Sequence, residues 1–325
     1  MNAESHNVER GDDPRVSVVI PAYNIAPFLA RSIRSVLGQT HRADEIIVVD
    51  DGSTDPTGGI AAGFGDSVRV IRQDNAGLSA ARNTGIRAAR GELVAFLDGD
   101  DEWMPGHLAS ALAVYRRHPE LQWYCAAYKR RTSRRTVYTR RLPRELMAGD
   151  DCVADYFAAQ ARLVFCWVGT TVIRRKLFDE IGLFDTAMRF AEDMDLWFRI
   201  ALRHGRIGYS PALEAIWWAR EGSLSALNPK TPGVMLGFAR HYGQLAVRAG
   251  PEAVRRCKPL VATWLKVAIK VAFKNGQYDV LQTIARDYAE WISPELRLLC
   301  RVLPQPLLSM VAVAKNALKA MRKRL

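Results

Sequence analysis

The 325-residue chain has no apolar run of the ~18 residues that would cross a bilayer. Residues 1–14 are polar and contain no apolar core, which argues against a secretory leader and predicts a cytoplasmic protein. Cysteine is scarce. The five thiols (Cys125, Cys152, Cys166, Cys257 and Cys300) include no zinc-type Cys-x-x-Cys pair, and their number is odd. They read as buried thiols in a reducing compartment. The six histidines, His6, His41, His107, His118, His204 and His241, show no metal spacing and read as surface or capping residues. No Gly-x-Gly-x-x-Gly follows the first predicted strand, and there is no Gly-x-x-x-x-Gly-Lys-Ser/Thr. These absences disfavour a dinucleotide fold and a phosphate-loop nucleoside triphosphatase. A Gly-x-Ser-x-Gly elbow is also missing, so a serine hydrolase has no support. No internal repeat is present.

What is present is a globular composition, 49% hydrophobic and 25% charged, long enough for one large domain plus an appendage. The net charge of +12 suits an anionic partner such as nucleic acid, nucleotide, phospholipid or a phosphorylated acceptor. A merely basic surface accounts for it equally well.

The periodicity predicts a disordered lead over 1–14, strands over 16–20, 45–49, 68–71 and 93–97, and helices over 26–37 and 78–89. This alternation of continuously apolar strands with helices defines an α/β fold with a mostly parallel sheet flanked by helices. Further on, helices are expected at 107–118 and 190–202, a strand at 164–173, and an exposed basic hairpin within 128–144. From 231 the pattern is helical. The expected organisation is a lead (1–14), a main domain (15–225) and a C-terminal helical appendage (226–325).

In parallel sheets ligands bind at the carboxyl ends of strands. Three strand ends are polar: Pro21-Ala22-Tyr23-Asn24, Asp50-Asp51-Gly52-Ser53 and Asp98-Gly99-Asp100-Asp101. The last places three carboxylates within four positions. Carboxylates this close raise one another's pKa or call for a cation, and a tight turn of hard oxygen donors suits Mg²⁺ or Mn²⁺. A solvated turn is the alternative. Tyr23 offers an aromatic face and Asp51 an acceptor for a base edge, although both segments also read as turns or helix caps.

Six segments, in order, resemble the family 2 inverting glycosyltransferases of GT-A fold. They are Ser17-Val18-Val19-Ile20-Pro21-Ala22-Tyr23-Asn24, Val48-Val49-Asp50-Asp51-Gly52-Ser53-Thr54-Asp55, the run from Asn75-Ala76-Gly77 through Ala81-Arg82-Asn83 to Gly85-Ile86, Phe96-Leu97-Asp98-Gly99-Asp100-Asp101, Gly182-Leu183-Phe184-Asp185, and Glu192-Asp193-Met194-Asp195-Leu196-Trp197. The resemblance spans about 15–225. It implies that Pro21, Tyr23 and Asp51 contact the nucleotide, with Asp51 on the uracil edge of a UDP-sugar. Arg82 would reach the donor or serve a helix salt bridge. Asp98 would face the ribose region, and Asp100, joined by Asp101, would hold Mg²⁺ or Mn²⁺. Asp193 matches the catalytic base and Glu192 is the alternative base. Asp195 reads as a solvated or salt-bridged helix residue, and Trp197 as core packing or a wall beside the base.

The chain departs from the family at Trp217-Trp218-Ala219-Arg220-Glu221-Gly222-Ser223, which keeps an Arg and a Ser but lacks the usual His. Arg220 is a candidate for the pyrophosphate. No Gln-x-x-Arg-Trp run is present, so transfer of one sugar, not polymerisation, is implied. The acceptor would be a glycan or a lipid-linked sugar in cell-surface polysaccharide or glycolipid synthesis. The basic hairpin and the Lys/Arg-rich stretch 298–325 suit a solvated face, a helix packed on the main domain, or peripheral contact with an anionic membrane. A nucleic-acid or anionic-surface binding module and a catalytically inactive relative are the alternatives. No nucleic-acid motif is present, so nucleic acid is not an expected partner.

Overall fold

The computed structural model describes residues 13–132, 135–138, 142–162, 166–220 and 231–302. The expected lead falls almost wholly outside them. So do the boundary near 225, Ser223, and residues 303–325 of the basic tail.

The chain divides into two compact units, 1–156 with 163–223 and 157–162 with 224–325. The first opens with β1 (Val16–Ala22), α1 (Ala26–Leu37), β2 (Glu45–Asp50), α2 (Thr57–Ala62), β3 (Arg69–Arg72), α3 (Leu78–Ala88) and β4 (Leu93–Phe96). β1 is buried along its whole length, as a strand covered on both faces must be. Each fully buried Val or Ile there contributes about 1.5–3 kcal/mol. α1 turns Leu29, Ile33 and Val36 inward, while Leu37 stays 40% exposed at the helix end.

After β4 come β5 (Glu102–Trp103), α4 (His107–Arg117), β6 (Trp123–Arg131), β7 (Thr136–Tyr138), β8 (Cys152–Val153), α5 (Tyr156–Arg162), β9 (Val172–Arg174), α6 (Leu177–Ile181), α7 (Glu192–Arg203) and β10 (Ile207–Trp218). The ten-stranded sheet runs β3-β2-β1-β4-β9-β6-β10-β5, with β7 on β6 and β8 on β10. β3, β2, β1 and β4 are parallel, but β9 runs antiparallel to both β4 and β6. The sheet is therefore mixed, with its parallel part in the region of alternating strands and helices. Of the strand expected over 164–173, residues 164–165 lie outside the described residues, and the described part becomes strand only from Val172. Thr170 and Thr171 hydroxyls donate back to the Trp167 and Val168 carbonyls (3.1 and 2.8 Å), closing a turn in place of a ladder. The basic hairpin is real: Lys129 pairs with Tyr138 and Arg131 with Thr136.

The second unit contains α8 (Pro232–Ala249), α9 (Pro251–Asn275), α10 (Tyr278–Asp287) and α11 (Pro294–Val302). Tyr242 and Trp264 pack with ring centroids 4.8 Å apart at its core. No helix among the described residues is long and apolar enough to cross a membrane. All five cysteines are buried and none forms a disulfide.

Candidate active site

β1, β2 and β4 are neighbours and parallel, so their carboxyl ends share one rim. The first two loops are bonded to each other. The Asn24 N–H donates to Ser53 Oγ (3.0 Å), and Asn24 Oδ1 accepts from the Thr54 N–H (2.9 Å). Asn24 holds a left-handed conformation, φ 49°, which Asn tolerates better than most residues. This leaves Pro21 buried and Tyr23 48% exposed on the rim.

The paired aspartates of β2 divide their work. Asp50 accepts from the Ser53 N–H (2.9 Å) and from Arg72 (2.5 Å), which fixes the loop. Asp51 is turned toward residues 73–77. Its Oδ1 accepts from Gln73 Nε2 (2.7 Å) and the Ala76 N–H (2.9 Å), and its Oδ2 from the Gly77 N–H (2.8 Å). Oδ2 keeps a lone pair for a further donor. Gly52 (φ +75°) makes the turn possible, since a Cβ there would lie 2.8 Å from the Asn75 nitrogen.

Arg82 projects from α3 and is 1% exposed. One guanidinium nitrogen donates to Asp98 Oδ1 (2.8 Å) and another to Glu192 Oε1 (2.7 Å). Burial lowers its pKa, but Asp98 and Glu192 outweigh burial and hold it above the usual arginine value. The sequence left Arg82 between a donor contact and a salt bridge; the structure has the salt bridge, and its two partners are both candidate site residues.

α7 is anchored from two sides. Asn83 exchanges two hydrogen bonds with the Phe184 backbone (2.8 and 3.0 Å). Arg199 binds Asp195 (2.7 Å) and the Ile181 and Leu183 carbonyls (2.8 Å each). Of the two readings of Asp195, the structure has the salt bridge and not the solvated face, since Asp195 is buried, and Trp197 is buried against Trp123 and Phe184 as core packing. Ala191 enters α7 in a left-handed conformation, φ 60°, a strained backbone position immediately before Glu192.

Asp193 follows, its Oδ1 accepting from the Met194 N–H (2.7 Å). Its carboxyl is pushed up to about 7, by burial first and then by the Glu192 charge, against the pull of Arg82. A carboxylate that titrates near neutrality can both hold and release a proton there.

The acidic turn is braced from below. The Asp101 carbonyl accepts from Ser32 Oγ (2.6 Å) and its Oδ1 from the Trp218 N–H (2.7 Å). The Asp100 carbonyl accepts from Arg31 (2.6 Å), and its carboxylate from Arg220, whose guanidinium lies 4.4 Å from the Phe28 ring centre. Burial, then the Asp98 charge, raises the Asp100 pKa; burial, Asp100 and Asp98 raise that of Asp101. This is excess negative charge on hard oxygen donors, and it fits a divalent cation. Asp98 and Asp100 are partly open, whereas Asp101 is 2% exposed.

A second grouping, His118, Asp151 and Cys152, has its ligand atoms within 4.8 Å of one another. Asp151 is committed to His118 (2.9 Å) and Arg117 (2.6 Å), and burial pushes the Cys152 thiol up to about 11. That is an ion-paired cluster with a protonated thiol, a poorer fit to a metal than the acidic turn.

Sequence reasoning missed Arg31, Phe28 and the role of Trp218. Arg31 stacks on Trp218 (4.3 Å), while Arg130 and Arg131 stack on Trp217 and Trp218 (4.9 and 4.8 Å). The Trp217-Trp218 pair beside an arginine-rich hairpin was the one available signal.

Known proteins resemble this chain in sequence and in fold. The model of "Glycosyl transferase family 2" matches residues 17–182. An uncharacterized glycosyltransferase, EpsJ of Bacillus subtilis (strain 168), is 38% identical over 186 residues, 55% of this chain and 54% of that protein. An uncharacterized glycosyltransferase of Rickettsia prowazekii (strain Madrid E) is 31% identical over 189 residues, 57% of this chain and 58% of that protein. The matches thus span little more than half the length of these curated relatives. Among solved structures, S. aureus TarS 1-349 in complex with UDP-GlcNAc superposes with a TM-score of 0.68 at 20% identity, covering 94% of this chain and 92% of that one. The mannosyltransferase PcManGT from Pyrobaculum calidifontis, in complex with GDP-Man and Mn²⁺, gives a TM-score of 0.54 at 21% identity, covering 94% and 87%. The architecture is the GT-A fold, a mixed sheet with flanking helices. The chain belongs to glycosyl transferase family 2.

Proposed function

We propose that this chain transfers a single sugar, with inversion, from a UDP-sugar to a hydroxyl of a glycan or lipid-linked acceptor in cell-surface polysaccharide or glycolipid synthesis. The observation that carries this reading is Arg82, which ties Asp98 on the nucleotide rim to Glu192 beside Asp193. In this reading Tyr23 and Pro21 flank the base, Asp51 Oδ2 meets the uracil edge, and Asp98 faces the ribose. Arg220 swings from Asp100 toward the diphosphate. Asp100 would hold Mg²⁺ or Mn²⁺, with Asp101 adding charge behind it, and the bound ion would offset the charge of the departing diphosphate. UDP as donor nucleotide is favoured by the likeness to a protein solved with UDP-GlcNAc and with UDP.

Asp193 acts as the base. The acceptor oxygen forms a bond to the anomeric carbon, the bond from that carbon to the phosphate oxygen breaks, and the acceptor proton passes to the Asp193 carboxylate. The electron pair leaves on UDP, so no separate acid is needed. Glu192, ion-paired with Arg82, adds negative charge beside Asp193 that raises its basicity, and it is the alternative base.

We assign catalysis to 15–225, treat 226–325 as a helical appendage, and place the protein at the cytoplasmic face of a membrane as a peripheral protein. A panel of nucleotide-sugars, scored for hydrolysis with and without Mn²⁺, tests the reading. UDP-sugar turnover that depends on Asp193 supports it; turnover confined to another nucleotide, or unchanged in Asp193→Asn, overturns it.

A further inference from the structure

A groove of about 410 Å³ opens on the second unit, lined by residues of α9 and α11. Its floor is apolar: Ile269 and Phe273 come from α9, Leu296 and Leu299 from α11. Leu299 remains 44% exposed and the adjacent Leu298 61%. One exposed leucine is ordinary, but an apolar groove lined by a half-exposed leucine with a second exposed leucine next to it in sequence marks a contact surface. Along one edge stand Lys266, Lys270 and Lys274. Their four-residue spacing sets them in a row on a single helix face. All three are exposed, and none has an acidic partner among the described residues.

We propose that this groove docks an anionic phospholipid of a bilayer, with the acyl chain against Ile269, Phe273 and Leu299 and the phosphate on the lysine row. Charge selects this occupant over the other candidates. Residues 303–325 continue directly from α11, but they carry Lys315, Lys319, Arg322, Lys323 and Arg324 and no acidic residue, so they would set like charge on like. A second copy presenting the same face would oppose one lysine row with another. Residues 231–302 hold eleven Lys and Arg against five Asp and Glu, so the unit as a whole has the same sign. An anionic lipid complements both features at once: its chain matches the floor, and its headgroup matches ammonium groups carried on long, flexible stems.

The test uses all 325 residues of this sequence in vesicle co-sedimentation. Neutral phosphatidylcholine vesicles are compared with vesicles in which about a third of the lipid is phosphatidylglycerol. The expected result is binding to the anionic vesicles alone, weakening as NaCl is raised. Replacing all three lysines (Lys266→Ser, Lys270→Ser, Lys274→Ser) should lower that affinity roughly 100-fold, as each lysine near an anionic leaflet is worth about fivefold. Because these side chains are exposed, the unfolding temperature should not move. Leu299→Ser should weaken binding with the lysine row intact. Undiminished binding by the triple variant overturns the proposal and assigns membrane contact to another basic segment, such as 303–325. Equal binding to neutral vesicles, or binding to neither, also overturns it. The assay contains no sugar nucleotide, so its failure leaves the transfer reading untouched.

Discussion

Arg82 and Glu192 lie 110 positions apart in the chain and 2.7 Å apart in space. The same guanidinium holds Asp98, so a buried cation joins the nucleotide rim to the helix that carries the proposed base. Arg82→Ala leaves two carboxylates facing each other without a counter-charge, and such losses cost about 3–5 kcal/mol. Arg82→Lys keeps the charge but cannot fork to both partners. We expect the Lys variant to fold with reduced stability and with turnover falling further than nucleotide affinity. Urea unfolding, UDP titration and sugar-transfer rates of the two variants check this.

The raised pKa of Asp193, about 7, makes two predictions of opposite sense. As a base it must be ionised, so kcat/KM should rise with pH and level off above about 7. For stability the sign is reversed. The folded state favours the protonated acid, so the charged form destabilises increasingly as pH rises from near 4, the ordinary Asp value, to about 7. Asp193→Asn should therefore lie close to wild type in stability at pH 4 and exceed it by up to about 4 kcal/mol at pH 8, at ~1.4 kcal/mol for each unit separating the folded and unfolded pKa values. Its transfer rate should fall by about 10²–10⁴-fold at the higher pH. Thermal melts at the two pH values, beside the pH–rate profile, test both.

Asp100 holds Arg220 and is the proposed metal ligand. UDP and Mn²⁺ together should raise the melting temperature by more than the sum of either alone. At about 100 times the dissociation constant such linkage amounts to roughly 2.7 kcal/mol. Asp100→Ala should abolish the metal-dependent part and keep whatever stabilisation UDP gives by itself. If Mn²⁺ still enhances UDP stabilisation in the variant, the ligand assignment is wrong.

Local signals made the parallel region and the rim legible in the sequence. Continuous apolar runs at 16–20, 45–49 and 93–97 mark strands covered on both faces, and each ends in residues suited to tight turns. The rest depended on contacts between distant residues. β10 was not delimited, because Pro211 and the register shifts between Ser210 and Ala215 interrupt its alternation. The inward turn of Asp51 could not be read from its neighbours, since its donors are a side chain and two backbone amides 22 to 26 positions away. The Arg31–Trp218 stack was equally hidden: an arginine on the outer face of an amphipathic helix carries no mark of its partner.

Gly85 tests whether the placement of α3 governs the site. In a helix interior, Gly→Ala ordinarily gains about 1 kcal/mol. Here a Cβ would fall 2.2 Å from Val19 Cγ1, because α3 packs directly on β1 at that point. Overpacking of this kind costs typically about 1–3 kcal/mol. Gly85→Ala should thus destabilise, and Val19→Ala in the same chain should recover part of the loss by clearing the space. Arg82 sits one turn earlier on α3, so the shift that accommodates the new methyl also moves the guanidinium against Asp98 and Glu192. We expect Gly85→Ala to lower turnover, and the double variant to restore turnover and stability together. Restoration of stability without turnover would separate the packing of α3 from the geometry of the Arg82 bridge.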